Sequence, residues 1–278
     1  MSEPVCVEIF IIGNEILIGD IQDTNTQWLC KEINRLGGYV ARATVLRDID
    51  AIIVDELRTA LGRGAGVIIT SGGLGPTADD LTLKAVARGA GVELLLHQQA
   101  LQMIRQRYDE LAGQGILAQG GLNPAREKMA WFPVGSTPLH NPVGTAPGVL
   151  LQSGQTAIIS LPGVPSELKG IFNSSLQPFL LATFNGGISA MRTITVRCND
   201  ESLMEPVLSR VANDHPGIYL KSLATTLGEM QDLDVILTAV GNDLPTINSL
   251  LATALEELQR GLDNLCISHR EKEGNGAI

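Results

Sequence analysis

The sequence contains no arrangement of cysteines or histidines that suggests a metal centre or a fold held together by disulfide bonds. Its four cysteines are scattered through 278 residues without a Cys-x-x-Cys pair, and its four histidines show neither HxxxH nor HExxH spacing. Cys6 and Cys30 lie in apolar patterns, where a free thiol is ordinarily buried. A disulfide framework, a zinc site and a Ser-His-Asp or Cys-His catalytic set are therefore not expected.

Long apolar runs and positive charge are also scarce. No apolar segment approaches the ~18 residues that cross a bilayer, and the N-terminus has no basic stretch before an apolar one, so neither a membrane helix nor a signal peptide is expected. The net charge is −10 and the sequence pI about 4.9. A broad basic face for nucleic acid or a membrane surface is thus not expected. With 44% apolar residues, the chain is expected to be a globular cytoplasmic protein of one large or two ordinary domains.

Predicted strands and helices alternate over the first 90 residues. Residues 5–12 are almost continuously apolar, as in a strand that is buried on both faces. Further strands are predicted at 39–46 and 67–70, and an amphipathic helical pattern follows each strand. The fold class predicted is α/β, with a three-layer arrangement of a mostly parallel sheet and helices on both faces.

A glycine-rich turn follows the third strand. Residues 71–77 read SGGLGPT, and Asp79 and Asp80 come next at the start of a predicted helix. Backbone N–H groups at such a junction suit a phosphate, although a strand-to-helix turn can need glycine for its conformation alone. Carboxylates repel phosphate, so the pair of aspartates favours a metal ion between them or a carboxylate that works on a proton.

Three strand ends carry polar or acidic residues, namely Gly13–Glu15, Asp48 and Ser71–Asp80. The carboxyl ends of parallel strands meet at one edge of a sheet, where ligands bind, so these residues are expected to converge. Each has a structural alternative. Asp48 or Asp50 is in place to cap the following helix, and Asp79 is in place to favour a helix N-terminus. Asn25 is as much a cap as a ligand.

A second turn-rich region spans residues 133–148 and leads into a predicted hairpin, with strands at 149–151 and 157–161. The segment LPGVP (161–165) then opens a helix whose first turn holds Glu167. These two segments are expected to form further walls of the cleft.

The pattern changes near residue 185. A strand at 192–197, a helix at 201–212, two strands and a helix at 245–258 predict a small α+β domain. The predicted boundaries are 1–185 for the first domain, 189–268 for the second, and 269–278 for a flexible polar tail. The second domain shows no GxxG loop, and RNA binding is not expected.

Four motifs in order resemble the N-terminal part of the CinA family (competence/damage-inducible protein A). The first domain of that family is similar to the molybdopterin-binding fold of molybdopterin adenylyltransferases and molybdenumtransferases, and residues 190–265 resemble its small KH-like domain. The matching segments are GNEILIGDIQDTNTQWL (13–29), SGGLGPTADDLT (71–82), NPVGTAPG (141–148) and LPGVPSELK (161–169).

The resemblance implies metal-dependent hydrolysis of ADP-ribose to AMP and ribose 5-phosphate. The C-terminal domain of full-length CinA proteins, which deamidates nicotinamide mononucleotide, is not expected in this chain. The implied ions are a divalent metal (Mg, Mn or Co) and, as a second candidate, a monovalent cation. The implied ligand is a nucleotide or pterin phosphate, and a homo-oligomer is expected, with a dimer favoured. Molybdopterin binding without turnover and adenylyl transfer from ATP to molybdopterin are the alternatives.

The resemblance also assigns roles to residues. Asp80 and Asp48 are the expected catalytic residues, and the expected metal ligands are Asp80, Asp48 and Glu15. The expected substrate-binding residues are Gly13, Asn14, Glu15, Asn25, Ser71, Gly72, Gly73, Leu74, Gly75, Thr77, Asn141, Gly144, Thr145, Pro162, Gly163 and Glu167.

Overall fold

The computed structural model describes residues 4–184, 187–198, 200–223, 231–241 and 243–272. They divide into two compact units. The larger holds residues 4–33 and 38–183, and the smaller holds residues 34–37 and the described residues from 184 onward. Residues 185 and 186, where the first domain was predicted to end, lie outside the described ranges.

Strands and helices alternate along the chain before Phe184. The strands are β1 (Cys6–Ile12), β2 (Tyr39–Leu46), β3 (Val67–Ser71), β4 (Leu94–Leu96), β5 (Trp131–Pro133), β6 (Thr137–Leu139), β7 (Gly148–Ser153) and β8 (Thr156–Leu161). The helices are α1 (Asn14–Ile18), α2 (Asn25–Arg35), α3 (Asp50–Gly62), α4 (Thr82–Ala90), α5 (Gln98–Gly113), α6 (Pro124–Lys128), α7 (Pro165–Ile171) and α8 (Gln177–Thr183), with a π-helical turn at Phe172–Leu176.

The main sheet has six strands in the order β2-β1-β3-β8-β7-β6. The first four run parallel, whereas β7 is antiparallel to both of its neighbours. Every residue of β3 is buried, so both faces of the sheet are covered at its centre. The prediction of a mostly parallel sheet is confirmed, and the β7–β8 hairpin makes the sheet mixed.

Apolar side chains of two helices cover one face of the sheet. Ile53 and Leu57 of α3 and Val86 of α4 pack in one buried cluster with Phe10 and Ile68 of the strands. This packing fixes where the strands end, and those ends carry the polar residues of the motifs.

The helix after the glycine-rich turn begins at Thr82, three residues later than predicted. The Thr82 hydroxyl donates to the Gly72 carbonyl at 2.8 Å, and the Thr82 N–H donates to the Gly73 carbonyl. These bonds fold the chain back on the loop before the helix starts. Asp79 therefore lies in a turn and not in the first helical turn, and its expected role at a helix N-terminus is wrong.

The smaller unit has its own antiparallel sheet of four strands in the order β10-β11-β9-β12. A buried core that includes Val235, Leu237, Leu251 and Leu258 joins this sheet to its helices. The likeness to a KH domain stays a prediction. The elements are β9 (Ile188–Cys198), a short 3-10 turn (Glu201–Leu203), α9 (Glu205–Asp214), β10 (Ile218–Leu223), β11 (Gln231–Gly241), α10 (Leu244–Asn264) and β12 (His269–Glu271).

The predicted flexible tail is wrong at its start. His269–Glu271 pair in antiparallel register with residues 194–196 of β9, which pair with β11 along their other edge. Residues 273–278 lie outside the described ranges. In the part of the chain that is described, no helix is both long and apolar enough to cross a membrane.

Candidate functional site

A cleft of about 570 Å³ opens at the carboxyl ends of the parallel strands. Gly13 follows β1, Asp48 follows β2, the glycine loop (residues 72–75) follows β3, and Pro162 and Gly163 follow β8. The sequence places these segments up to 150 positions apart, and the parallel order β2-β1-β3-β8 brings their ends to one edge. The predicted convergence of the strand ends is thus confirmed.

The cleft is lined by carboxylates without a matching cation. None of its described lining residues is lysine, arginine or histidine. A phosphate in this cleft therefore needs positive charge from somewhere other than the side chains that line it. The acidic residues that line it are Glu15, Asp23, Asp48, Asp79, Asp80 and Glu167.

The glycine loop offers backbone donors to a ligand. Gly72 has a φ of +111°, and a Cβ there would overlap the Ile12 carbonyl oxygen, so glycine is required. Its N–H donates to Leu161 at 3.0 Å, which removes it from the expected phosphate cradle. Within the described chain, no acceptor pairs with the N–H groups of residues 73–75.

Thr77 ties two carboxylates to the loop. Its N–H and its hydroxyl donate to Asp80 Oδ2 at 2.8 and 2.6 Å, and the hydroxyl oxygen also lies 2.5 Å from Asp79 Oδ1. The single hydroxyl proton therefore serves two carboxylates. The hydrogen bond from Thr77 lowers the pKa of Asp79. Thr77 itself is not among the residues that line the cleft. Its contacts hold the two aspartates, and its expected role in binding substrate stays a prediction.

Asp48 is half-buried and lies near other acidic side chains. Burial raises the pKa of Asp48, the negative charges of Glu15 and Asp79 raise it further, and a hydrogen bond from the Asn14 N–H opposes the change. That bond measures 2.8 Å to Oδ2. Asp48 is in electrostatic contact with Asp79, the aspartate for which a structural role was expected.

Lys128, the last residue of α6, makes hydrogen bonds to residues 75–80 in and after the glycine loop. Its ammonium group donates to the carbonyl oxygens of Gly75 at 3.3 Å, Asp80 at 2.8 Å and Thr77. Burial lowers the pKa of Lys128, and the charges of Asp80 and Asp79 oppose that change. Sequence reasoning missed this residue because nothing in the segment PAREK marks a partner about 50 positions away.

Asn25 joins two of the strand-end loops. Its side-chain N–H₂ group donates to Ser71 Oγ at 3.1 Å and to the Gly163 carbonyl at 2.8 Å, and Ser71 Oγ donates to the Pro162 carbonyl at 3.2 Å. Asn25 is 6% exposed, and Asp23 accepts from the Thr26 N–H at the start of α2. Asn25 thus links the two loops by hydrogen bonds, and Asp23 caps the N-terminus of α2.

The second wall is built on Asn141. Its Nδ2 donates to Glu167 Oε2 at 2.7 Å and to the Ala146 carbonyl at 2.8 Å, while its Oδ1 accepts from the N–H of Gly144 at 2.8 Å. Arg107 donates to the Gly144 carbonyl at 3.1 Å from the outside. Asn141 and Gly144 shape the wall without lining the cleft, whereas Glu167 lines it directly.

Comparison with known proteins gives the family. A family model described as a probable molybdopterin binding domain matches residues 8–182. The chain belongs to this family. The match covers the larger unit and all of the expected site residues.

Relatives of this chain occur in archaea. A protein of Aeropyrum pernix is 37% identical to this chain over 275 residues, and this alignment covers 98% of this chain and 99% of the relative. A protein of Pyrobaculum arsenaticum is 39% identical over 214 residues, or 77% of this chain and 78% of that one. The crystal structure of a CinA protein of unknown function from Thermoplasma acidophilum matches with 34% identity and a TM-score of 0.57, over 64% of this chain and 98% of that chain. The resemblance to CinA is confirmed.

Most of the residues expected in the site of this family member are brought together. Asn14 contributes its backbone N–H to Asp48, while Thr77, Asn141 and Gly144 support the walls. The expected residues that line the cleft are Gly13, Glu15, Asn25, Asp48, Ser71, Gly72, Gly73, Leu74, Gly75, Asp80, Thr145, Pro162, Gly163 and Glu167.

The three expected metal ligands do not form a closed metal site. Among the residues described, no three His, Cys, Asp or Glu side chains lie close enough together to hold an ion. Asp80 is turned toward Thr77 and Asp48 toward Asn14. The donor set fits an ion of the magnesium kind, which is commonly bound by one or two carboxylates together with the phosphates of a substrate.

Proposed function

We propose that this protein is a metal-dependent hydrolase of a nucleotide diphosphate, with ADP-ribose as the substrate and AMP and ribose 5-phosphate as the products. The observation that carries the proposal is the cleft of six carboxylates around a glycine loop, without a cationic side chain in its described lining. Repulsion would keep an unaccompanied diphosphate out of such a cleft. A diphosphate that is bound to a divalent cation avoids this repulsion, because the cation neutralises charge on the phosphates and attracts the carboxylates.

The chain's own groups supply binding and proton transfer. The N–H groups of residues 73–75, which line the cleft and have no acceptor within the described chain, would donate to phosphate oxygens and to the negative charge that grows on them during attack. Asp80 would hold the ion together with Glu15 or Asp48, and the ion would neutralise the diphosphate oxygens; where Glu15 is the second ligand, Asp48 is left as a base. Asp48 is a stronger base than an ordinary aspartate, because burial and its acidic neighbours raise its pKa. It suits the role of accepting a proton from the attacking water.

Water adds to one phosphorus atom and the bridging P–O bond breaks, so that one phosphate stays on each product. This balance needs no oxidant and no second nucleotide. A cleft of about 570 Å³ is of the size that takes a small organic ligand, such as one half of a dinucleotide-like molecule with its phosphates.

The test is an assay of AMP release from ADP-ribose with Mg²⁺, Mn²⁺ or Co²⁺ and with EDTA. We expect turnover only with added metal, and a fall of at least 100-fold in kcat in Asp80→Ala. The matched control is Asp55→Asn, which changes an exposed aspartate on α3 outside the cleft. Turnover that survives EDTA, or that survives in Asp80→Ala, would contradict the proposal.

Membership of the molybdopterin-binding family supports a second candidate, which is a protein that binds molybdopterin without turnover. Adenylyl transfer to molybdopterin is a third. The same panel separates them, because binding alone predicts a retained pterin and no AMP release with any metal. Adenylyl transfer predicts a product only when ATP and a pterin acceptor are both present.

We also propose a homo-oligomer, with a dimer favoured, and the small unit as a KH-like domain. Light scattering of the purified protein tests the first. A monomer at micromolar concentration would contradict it.

A further inference from the structure

The side chain of Lys128 is fixed by three hydrogen bonds to one short segment. An ammonium group has three protons, and Lys128 directs them to the carbonyl oxygens of Gly75, Thr77 and Asp80. All three acceptors lie within residues 75–80, which carry the carboxylates of Asp79 and Asp80. One side chain thus holds the whole acidic part of the loop.

Lys128 acts from the side of the loop that faces away from the cleft. It is not among the residues that line the cleft. It lines a separate cavity of about 470 Å³, which shares the glycine loop and Asp80 with the cleft. The loop therefore borders both cavities: Asp80 lines both of them, whereas Asp79 lines only the cleft and Lys128 lines only the second cavity. A substrate in the cleft does not meet Lys128 directly.

The anchoring of α6 does not depend on this lysine. The N-terminus of α6 is capped by Asn123, whose Oδ1 accepts from the Arg126 N–H at 2.9 Å. The Arg126 guanidinium donates to the carbonyl oxygens of Gly120 and Gly121, each at 2.7 Å, and lies 3.8 Å from the centre of the Tyr108 ring. Helix α6 is secured by these contacts, so the three bonds of Lys128 are available to fix the glycine loop.

We propose that Lys128 is a positioning residue for the hydrolysis, which holds residues 75–80 so that Asp79 and Asp80 stay at the mouth of the cleft. This inference rests on the proposed function. The reason is that a reacting group displaced by about 1 Å can lose on the order of 100-fold in rate, even when the displacement begins far from the chemistry. A loop of glycine, proline and short polar residues has little apolar packing of its own to fix it.

The experiment compares Lys128→Met, Lys128→Arg and the control Lys31→Met, which removes an exposed lysine of α2 outside both cavities. Steady-state hydrolysis of ADP-ribose with Mn²⁺ gives kcat and KM, and hydrogen–deuterium exchange gives the protection of residues 72–82. In Lys128→Met we expect kcat to fall at least 10-fold, KM to change less than about threefold, and exchange to accelerate in that segment. Lys128→Arg should recover most of the loss because it restores the charge and the donors, and Lys31→Met should match the wild type.

Faster exchange at 72–82 with an unchanged kcat in Lys128→Met would overturn the proposal and leave Lys128 a structural residue. A fall in kcat accompanied by faster exchange throughout the larger unit would also overturn it. If Lys128→Met does not fold, Lys128→Gln keeps two donors without the charge and takes its place in the comparison. A wild type that releases no AMP from ADP-ribose rejects the proposed function itself, whereas an active wild type with an equally active Lys128→Met rejects only the role of Lys128.

Discussion

Thr77 and Asp80 close the glycine loop on itself. The N–H and the hydroxyl of Thr77 both donate to Oδ2 of Asp80, at 2.8 and 2.6 Å. The carboxylate that was expected to be catalytic and to bind a metal is therefore also a structural partner of the loop. A substitution at Asp80 removes both functions at once, and a substitution at Thr77 separates them.

Thr77→Val removes the hydroxyl and keeps the backbone N–H donor. We expect it to lower kcat for ADP-ribose by about 10-fold, whereas Asp80→Ala lowers it at least 100-fold, because only the latter removes the carboxylate itself. Steady-state kinetics with saturating Mn²⁺ measures both. Equal losses in the two variants would mean that Asp80 acts only through the shape of the loop.

Asp48→Asn should raise stability while it lowers activity. Burial and the acidic neighbours raise the pKa of Asp48, so the folded state binds this proton more tightly than the unfolded state does. Stability contributed by the protonated carboxyl is therefore lost as pH rises from the ordinary aspartate pKa through the raised value. We expect Tm of Asp48→Asn to exceed that of the wild type at pH 7 and to match it near pH 3, where both side chains are neutral.

Thermal denaturation at the two pH values is the measurement for Asp48→Asn. An unfolding free energy higher by 1 kcal/mol corresponds to roughly 2–4 °C in Tm for a chain of about this size. AMP release should fall in the same variant, since asparagine accepts no proton. A lower Tm at pH 7 would show that the Asp48 carboxylate stabilises the fold.

Gly72→Ala tests the backbone of the loop. The positive φ and the overlap of a Cβ with the Ile12 carbonyl oxygen should cost about 1–3 kcal/mol of unfolding free energy. Gly62→Ala is the matched control, because Gly62 ends α3 in open space. That change should stabilise by roughly 0.5–1 kcal/mol. Urea denaturation compares the two, and a Gly72→Ala variant as stable as the wild type would contradict the geometry of the loop.

Asn25→Asp tests the hydrogen bonds by which Asn25 links two strand-end loops. A carbonyl oxygen only accepts hydrogen bonds, so an aspartate oxygen that faces the Gly163 carbonyl leaves a buried acceptor without a donor. We expect a loss of about 1–3 kcal/mol in unfolding free energy. Asn173→Ala, at an exposed position, should stay within about 0.5 kcal/mol of the wild type. An Asn25→Asp variant as stable as the wild type would show that the hydrogen bonds to Ser71 and Gly163 contribute little to the free energy of unfolding.

The periodicity of the sequence predicted the order of the main elements. Apolar strands that alternate with amphipathic helices leave few alternatives to a largely parallel sheet, and the ends of such strands necessarily meet at one edge. That is why Gly13, Asp48 and the glycine loop were placed in one cleft before any tertiary contact was known. The short strands β4–β6, the short helix α1 and the edge strand β12 were missed, because three to five residues carry too little periodicity to be recognised.

The sequence by itself determined the parallel core, the cleft and its surplus of carboxylates, because local propensity and apolar periodicity are encoded residue by residue. Only the tertiary structure decided which carboxylates face one another and what holds them. Lys128 contacts a segment about 50 positions earlier, and Asn25 meets Gly163 across 138 positions. Such contacts depend on how helices pack on the sheet, and no local pattern records them.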